Sequence, residues 1–255
     1  IYSLIKPTIN STSMIACRSN QDADNFMRLG ANPERLTVAG NIKFDIKPAS
    51  TETGAGSLKQ QLKTGSKVWV AASTHAGEDE IILGCYAKLK ANHPDLVLVL
   101  VPRHPERFGS VYKLCTDHGV TERRSNRSVF THECEIILGD SMGEMDYWYA
   151  SANVVFMGGS FVDTGGHNPL EASIFGAPVI SGPAIFNFND VYEVLCKNGV
   201  AWIAPVPESL TSKLDELLQL PNNNILKLRQ RSIETLKANK GATSKLIRLC
   251  KELIA

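Results

Sequence analysis

The run "DLVLVLVP" at residues 95–102 restricts the fold more than any other stretch. From Leu96 to Pro102 every residue is apolar, so neither face of the segment suits water. A membrane-spanning helix needs about 20 apolar residues, and this run is far shorter. Its length and its Val content suit a strand covered on both faces. Similar runs recur: "KVWVAAS" (67–73), "EIILGD" (135–140), "NVVFMGG" (153–159), "APVISGP" (177–183) and "VAWIAP" (200–205). Helical patterns lie between them. Strands buried on both faces and joined by helices predict a doubly wound, parallel, Rossmann-like α/β sheet. Right-handed crossovers then place the loops that follow the strands along one edge, where ligands bind.

The front of the chain differs. Residues 1–46 read as strand, helix, strand: "SMIACRS", then "NQDADNFMRLG" with Asn20 as its cap and Gly30 as its stop, then "RLTVAG". Residues 47–66, including "KPASTETGAGS", have turn-forming residues and no apolar period, as a linker would. The second domain is expected over 67–255 and ends in helices at 207–219 and 222–254, the latter broken near Gly241. The 255 residues carry 27 Lys and Arg against 26 Asp and Glu, a net charge of +1 that argues against a nucleic-acid partner. Six cysteines form no CxxC pair and no zinc spacing, and read as reduced thiols. The chain begins at Ile1 with no Met or signal-peptide pattern, and reads as part of a longer protein.

Four loops on the expected edge carry the chemistry. In "ASTHAGEDE" (72–80), Ser73, Thr74 and His75 precede a helix start, where hydroxyls and free amides suit an anion. A plain cap with an acidic first turn (Glu78, Asp79, Glu80) explains the same residues. In "VPRHPERF" (101–108), Arg103 and His104 follow Pro102 at a strand end. A fixed guanidinium there suits phosphate or carboxylate, while pairing with Glu106 is the plainer alternative. In "GGSFVDTGGHNPLEA" (158–172), Gly158 and Gly159 permit close approach, with Ser160 beside them. Gly165 and Gly166 permit positive φ, and Asn168-Pro169 opens a helix. Glu171 in its first turn is placed to accept ribose hydroxyls, and His167 is either a donor to ligand or a structural residue. The glycine spacing is neither GxGxxG nor a Walker loop. In "SGPAIFNFNDVYE" (181–193), Asn187 lies between Phe186 and Phe188, whose rings read as packing before base stacking. No Ser-His-Asp set and no metal site is legible.

In this order, "GNIKFD" (40–45), "AASTHAGEDE" (71–80), "LVPRHPERF" (100–108), "MGGSFVDTGGHNPLEA" (157–172) and "GPAIFNFND" (182–190) resemble the bacterial 3-deoxy-D-manno-octulosonic acid (Kdo) transferases over nearly the whole chain. The resemblance implies a GT-B glycosyltransferase of two Rossmann-like domains. Such an enzyme transfers Kdo from CMP-Kdo, a substrate and not a cofactor, to a lipid A precursor. It acts at the cytoplasmic face of the inner membrane, as a peripheral or anchored protein, with inversion and without a metal. Residues 1–46 then end an acceptor domain that carries the catalytic base, and 67–255 bind the donor. Ser73 and Thr74 would line the donor phosphate site with Arg103 supplying charge, and His75, Pro102 and His104 would join them in binding the donor. Gly158, Gly159, Ser160, Gly166, His167 and Asn187 would border the cleft. Asn168 and Glu171 would take phosphate or sugar and ribose, and Lys43 would face the cleft. The base-bearing segment is not in this sequence, so the chain alone is expected to bind donor and transfer little. Asp163 and Thr164 depart from the small or apolar residues expected there. The alternatives are a GT-B enzyme that uses a UDP-sugar (a transferase or 2-epimerase) and a non-catalytic nucleotide-binding module. Arg123, Arg124 and Arg127 form the densest basic cluster, a lipid contact or a solvated surface.

Overall fold

A computed structural model describes residues 2–47, 57–127 and 129–254. They fall into two compact units, 1–47 with 236–255 and 48–235. The sequence reading put 236–255 with the second unit. Residues 48–56 of the expected linker (47–66) lie outside the described residues, and Ser57–Gln61 within the linker is helical.

In the first unit, α1 (Tyr2–Asn10) leads to a parallel pair, β1 (Ile15–Cys17) and β2 (Leu36–Val38), joined through α2 (Asn20–Arg28). The cap of α2 is Ser19 and not Asn20. Ser19 has the extended backbone a cap requires, and its Oγ accepts the Asp22 N–H at 3.1 Å. The chain's last helix returns here. Asp45 accepts the N–H groups of Gly241 and Thr243, both at 2.6 Å, at the start of α11 (Ala242–Ile254). That helix is separated from α10 (Asn222–Asn239) at Gly241, where the break was expected.

The second unit begins with the short helix α3 (Ser57–Gln61), followed by seven parallel strands: β3 (Lys67–Thr74), β4 (Leu96–Pro102), β5 (Thr121–Arg123), β6 (Ile136–Leu138), β7 (Val154–Met157), β8 (Val179–Ser181) and β9 (Ala201–Ile203). They pair in the order β5-β6-β4-β3-β7-β8-β9. All seven residues of β4 are buried, as the unbroken apolar run demands. Each large side chain so buried contributes roughly 1.5–3 kcal/mol. The connecting helices are α4 (Glu78–Lys90), α5 (Phe108–Thr116), α6 (Met145–Ser151), α7 (Leu170–Ser173) and α8 (Asn189–Lys197), and α9 (Pro207–Gln219) follows β9. Three acidic residues open α4 and Lys88 and Lys90 close it, matching the helix dipole at both ends. The chain leaves β3 toward β4 on one side and returns through β7 on the other. The order therefore reverses at β3, and in open α/β sheets the loops after the two strands at such a point border the ligand crevice.

Candidate functional site

Strand β3 ends in a distortion that sorts its last residues. Its register against β4 shifts between Ala72 and Thr74, and Ser73 adopts φ +54°, a region that non-glycine residues rarely enter. Thr74 is turned fully inward. Its hydroxyl donates to Asp79 at 2.6 Å, and its carbonyl accepts from the Arg103 N–H at 2.9 Å and from Arg107 Nη1 at 2.8 Å. Arg107 Nη2 also pairs with Asp79, whose side chain is 1% exposed. This buried Thr74–Asp79–Arg107 set fixes the start of α4 against the loop after β4.

The glycine-rich loop after β7 is held by the opposite side of the crevice. Glu78, fully buried in the first turn of α4, accepts four backbone N–H groups: Gly159 at 2.7 Å, and Ser160, Phe161 and His75 at 2.9 Å each. Its carboxylate occupies the amide cradle that an anionic ligand would otherwise find there. At Gly158, a Cβ would lie 2.4 Å from the Ser73 carbonyl oxygen, so glycine here lets two backbones touch. Gly165, at φ +85°, is covered by Phe186 and Asn187 in the same way. Ser160 is buried; its hydroxyl donates to the Met157 carbonyl at 2.7 Å and accepts the Gly182 N–H at 2.8 Å. Asn187 donates to the Thr164 carbonyl at 3.0 Å, and the Thr164 hydroxyl donates to the Gly159 carbonyl at 2.7 Å.

Three histidines meet above this brace. His75 Nε2 and His167 Nε2 are 2.9 Å apart with rings stacked at 5.2 Å, and His104 packs edge-on against His75 at 5.3 Å. One proton joins the two Nε2 atoms, so one ring donates and the other accepts. Burial, then His75, Arg103 and His104, bring His167 down to about 4, with Glu78 opposing. Burial also lowers His75; Glu78 pulls the other way, and His104, Arg107 and Arg103 add to the lowering. Both rings are therefore neutral near pH 7. The Arg103 side chain is exposed at this edge, and its charge is felt at both histidines and at Glu171. Glu171 is open to solvent as a residue, while its carboxyl sits among enough protein to rise above the usual carboxylate range. Asp146 adds to that rise and Arg103 opposes it. Asn168 Oδ1 accepts the Leu170 N–H at 3.1 Å and starts α7.

Residues 1–46 match the family model described as 3-Deoxy-D-manno-octulosonic-acid transferase (kdotransferase). The 3-deoxy-D-manno-octulosonic acid transferase of Haemophilus influenzae is 38% identical over 242 residues, 94% of this chain and 56% of that protein. The solved C-terminal CMP-Kdo binding domain of WaaA from Acinetobacter baumannii is 34% identical with a TM-score of 0.66. The match covers 71% of this chain and 95% of that domain. The chain belongs to the Kdo transferase family. It spans about half the length of the curated relatives it matches. Anabaena HepE, solved with UDP-glucose, is 14% identical with a TM-score of 0.59 over 99% of this chain and 66% of that one, and shows the fold alone. The fold is the α/β, GT-B type expected.

Against this family frame, the expected site residues separate into two groups. Ser73, His75, Arg103, His104, His167, Asn168 and Glu171 gather around the crevice, held by the loops after β3, β4 and β7. Thr74, Gly158, Gly159, Ser160, Gly166 and Asn187 build its frame. The Thr74 and Ser160 hydroxyls are spent on the protein, and the Gly159 and Ser160 amides are taken by Glu78. Pro102 is buried as the last residue of β4. Lys43 belongs to the first unit, on a short 3-10 turn from Ile42 to Asp45. Sequence reasoning read Glu78 and Asp79 as a helix-opening turn and passed over Arg107. Arg103 does not pair with Glu106, which lies 4.0 Å from His104 Nδ1 instead. The basic cluster is neutralised: Arg123 meets Asp140 at 2.7 Å, Arg124 meets Glu144 at 2.7 Å, and Arg127 meets Glu122 at 3.7 Å. Among the described residues no group of three or more His, Cys, Asp or Glu is arranged to hold a metal, and no helix is long and apolar enough to cross a membrane.

Proposed function

We propose that the crevice holds CMP-Kdo and that the chain is the donor-binding part of an enzyme that transfers Kdo to a lipid A precursor. The reaction is the inverting, metal-independent step of lipopolysaccharide synthesis at the cytoplasmic face of the inner membrane. The observation that carries this reading is the likeness to a domain named for binding CMP-Kdo, which the chain covers almost completely. The chemistry of the crevice supports it. An exposed guanidinium and a cluster of imidazoles suit a phosphodiester. The Ser73 hydroxyl adds a hydrogen bond from the tip of β3. Glu171 accepts from the ribose hydroxyls, and the 182–188 loop walls the base.

Calorimetric titration of the chain with CMP tests this reading. CMP is expected to bind and UDP not to displace it. Arg103→Ala is expected to weaken CMP at least tenfold, since a charge-assisted contact contributes about 1.5–3 kcal/mol. Displacement of CMP by UDP at equal concentration would instead indicate a UDP-sugar enzyme.

A further inference from the structure

The His75–His167 contact bridges the two loops that border the crevice, from sequence positions 92 residues apart. With one proton between two nitrogens, both Nε2 atoms are committed to each other, and neither offers an N–H to a phosphate oxygen. The amides of Gly159, Ser160 and Phe161 cannot stand in, because Glu78 holds all three. An incoming phosphate therefore finds Arg103 and the Ser73 hydroxyl, and the histidines are the further donors within its reach once their contact opens.

We propose that a phosphate-bearing ligand binds by breaking the Nε2···Nε2 contact of His75 and His167, and that the ring which accepted the hydrogen bond takes up a proton from solvent as it does so. The proton adds to the freed Nε2 lone pair and makes that ring an imidazolium, while the partner ring keeps its own Nε2–H. Both rings then donate to the phosphate, and no bond in the ligand is made or broken. The proposal rests on the assignment of the crevice as a nucleotide-sugar site, and deepens it by saying which groups receive the phosphate and at what protonic cost.

The charges around the pair account for the coupling. His75 faces Glu78 within its own loop, His104, Arg103 and Arg107 from the loop and short turn after β4, and His167 across the crevice. His167 faces His75, Arg103, His104 and Glu78. In the free protein, burial and the neighbouring cations outweigh the single carboxylate, so both rings stay neutral, His167 at about 4. A phosphate set among these cations reverses the balance and raises the imidazoles toward or past neutrality. Binding then draws in a proton between the free-state and bound-state values. Over that window affinity improves up to about tenfold for each unit the pH falls.

The test uses the whole chain, uniformly labelled with nitrogen-15, and reads the imidazole nitrogens between pH 5.5 and 7.5. The probes are sulfate, a tetrahedral dianion that does not titrate in this range, and CMP. In the free chain the His75 and His167 signals are expected to show one neutral tautomer each. With either probe bound, one of the two is expected to move to the imidazolium pattern, and calorimetry with sulfate in buffers of different ionisation enthalpy is expected to show uptake of up to one proton. His104, which makes no Nε2 pair, serves as the internal comparison. If CMP binds selectively over UDP while both rings stay neutral, with or without a tautomer switch, the proton latch is wrong and the donor assignment stands. If sulfate charges the pair but CMP binds no better than UDP, the latch stands and the cytidine assignment fails. If neither probe perturbs these two histidines, the latch is overturned. These readings need no substitution, so a variant that fails to fold cannot confuse them.

Discussion

A glycine and a serine at the end of the same strand pair have opposite requirements. Gly158 has no room: a methyl group would press against the Ser73 carbonyl at 2.4 Å, a backbone atom that cannot rotate away. Gly158→Ala is therefore expected to cost about 3 kcal/mol or more through forced separation of the β3 and β7 ends. Urea denaturation measures this. Ser73 instead has an awkward backbone, at φ +54°. A non-glycine residue at positive φ costs on the order of 1 kcal/mol, which persists when the position serves a ligand. Ser73→Gly is expected to raise stability slightly, by up to about 1 kcal/mol, while weakening CMP several-fold through loss of the hydroxyl. Ser73→Ala keeps the strain, loses the same hydroxyl and gains no stability. Unchanged CMP affinity in both variants would remove Ser73 from the ligand's contacts.

Helix α4 works as a brace as well as a crossover. Its first turn sends Glu78 across to the β7 loop and Asp79 back to Thr74 and Arg107, so three loops of the crevice are fastened to one rigid helix. Glu78→Gln puts an amide NH2 where two N–H groups need an acceptor. The loss is expected to be about 2–4 kcal/mol, because buried amides are left unpaired. Loosening of 158–161 should appear as faster amide exchange there than in β4. The strands were legible because each apolar run must be covered on both faces, and the loop positions followed from the parallel topology. The brace was not legible. Glu78 looks like any acidic residue opening a helix, and three of its four partners are main-chain N–H groups about 80 positions away, which leave no side-chain signature. The same blindness hid the histidine pair, since His75 and His167 lie in separate loops 92 positions apart. β5 went unassigned because Thr121–Arg123 is a three-residue polar edge strand with no apolar period to detect. Gly158 was read as permitting close approach, and what approaches it is the Ser73 main chain; Gly165 has the positive φ expected and lies under Phe186 and Asn187.

Across the whole molecule, the chain closes on itself through Asp45. Helix α11 begins nearly 200 residues later, and its first N–H groups are satisfied by this one carboxylate, while Lys245 reaches the Val38 carbonyl and Ala242 sits beside Gly40. That is why 236–255 cluster with 1–47 and not with the seven-stranded sheet. Partial burial pushes the Asp45 carboxyl up, but the hydrogen bonds from Thr243 and Gly241, with the Lys240 charge, more than offset it and hold it below its usual value. A carboxyl lowered in the folded state adds stability above its unfolded value near 4, and that stability is lost as the pH falls through the folded value. Asp45→Asn is therefore expected to weaken the first unit at pH 6–7 by about 1 kcal/mol, the ordinary worth of a helix cap. Hydrogen exchange read on residues 36–47 and 240–254 should be about fivefold faster in the variant, with residues 96–102 unchanged. On acidifying from pH 5 to 3, the wild-type chain should lose this extra protection and approach the variant. A constant gap between the two across that range would mean that the Asp45 charge does not hold the chain's end in place.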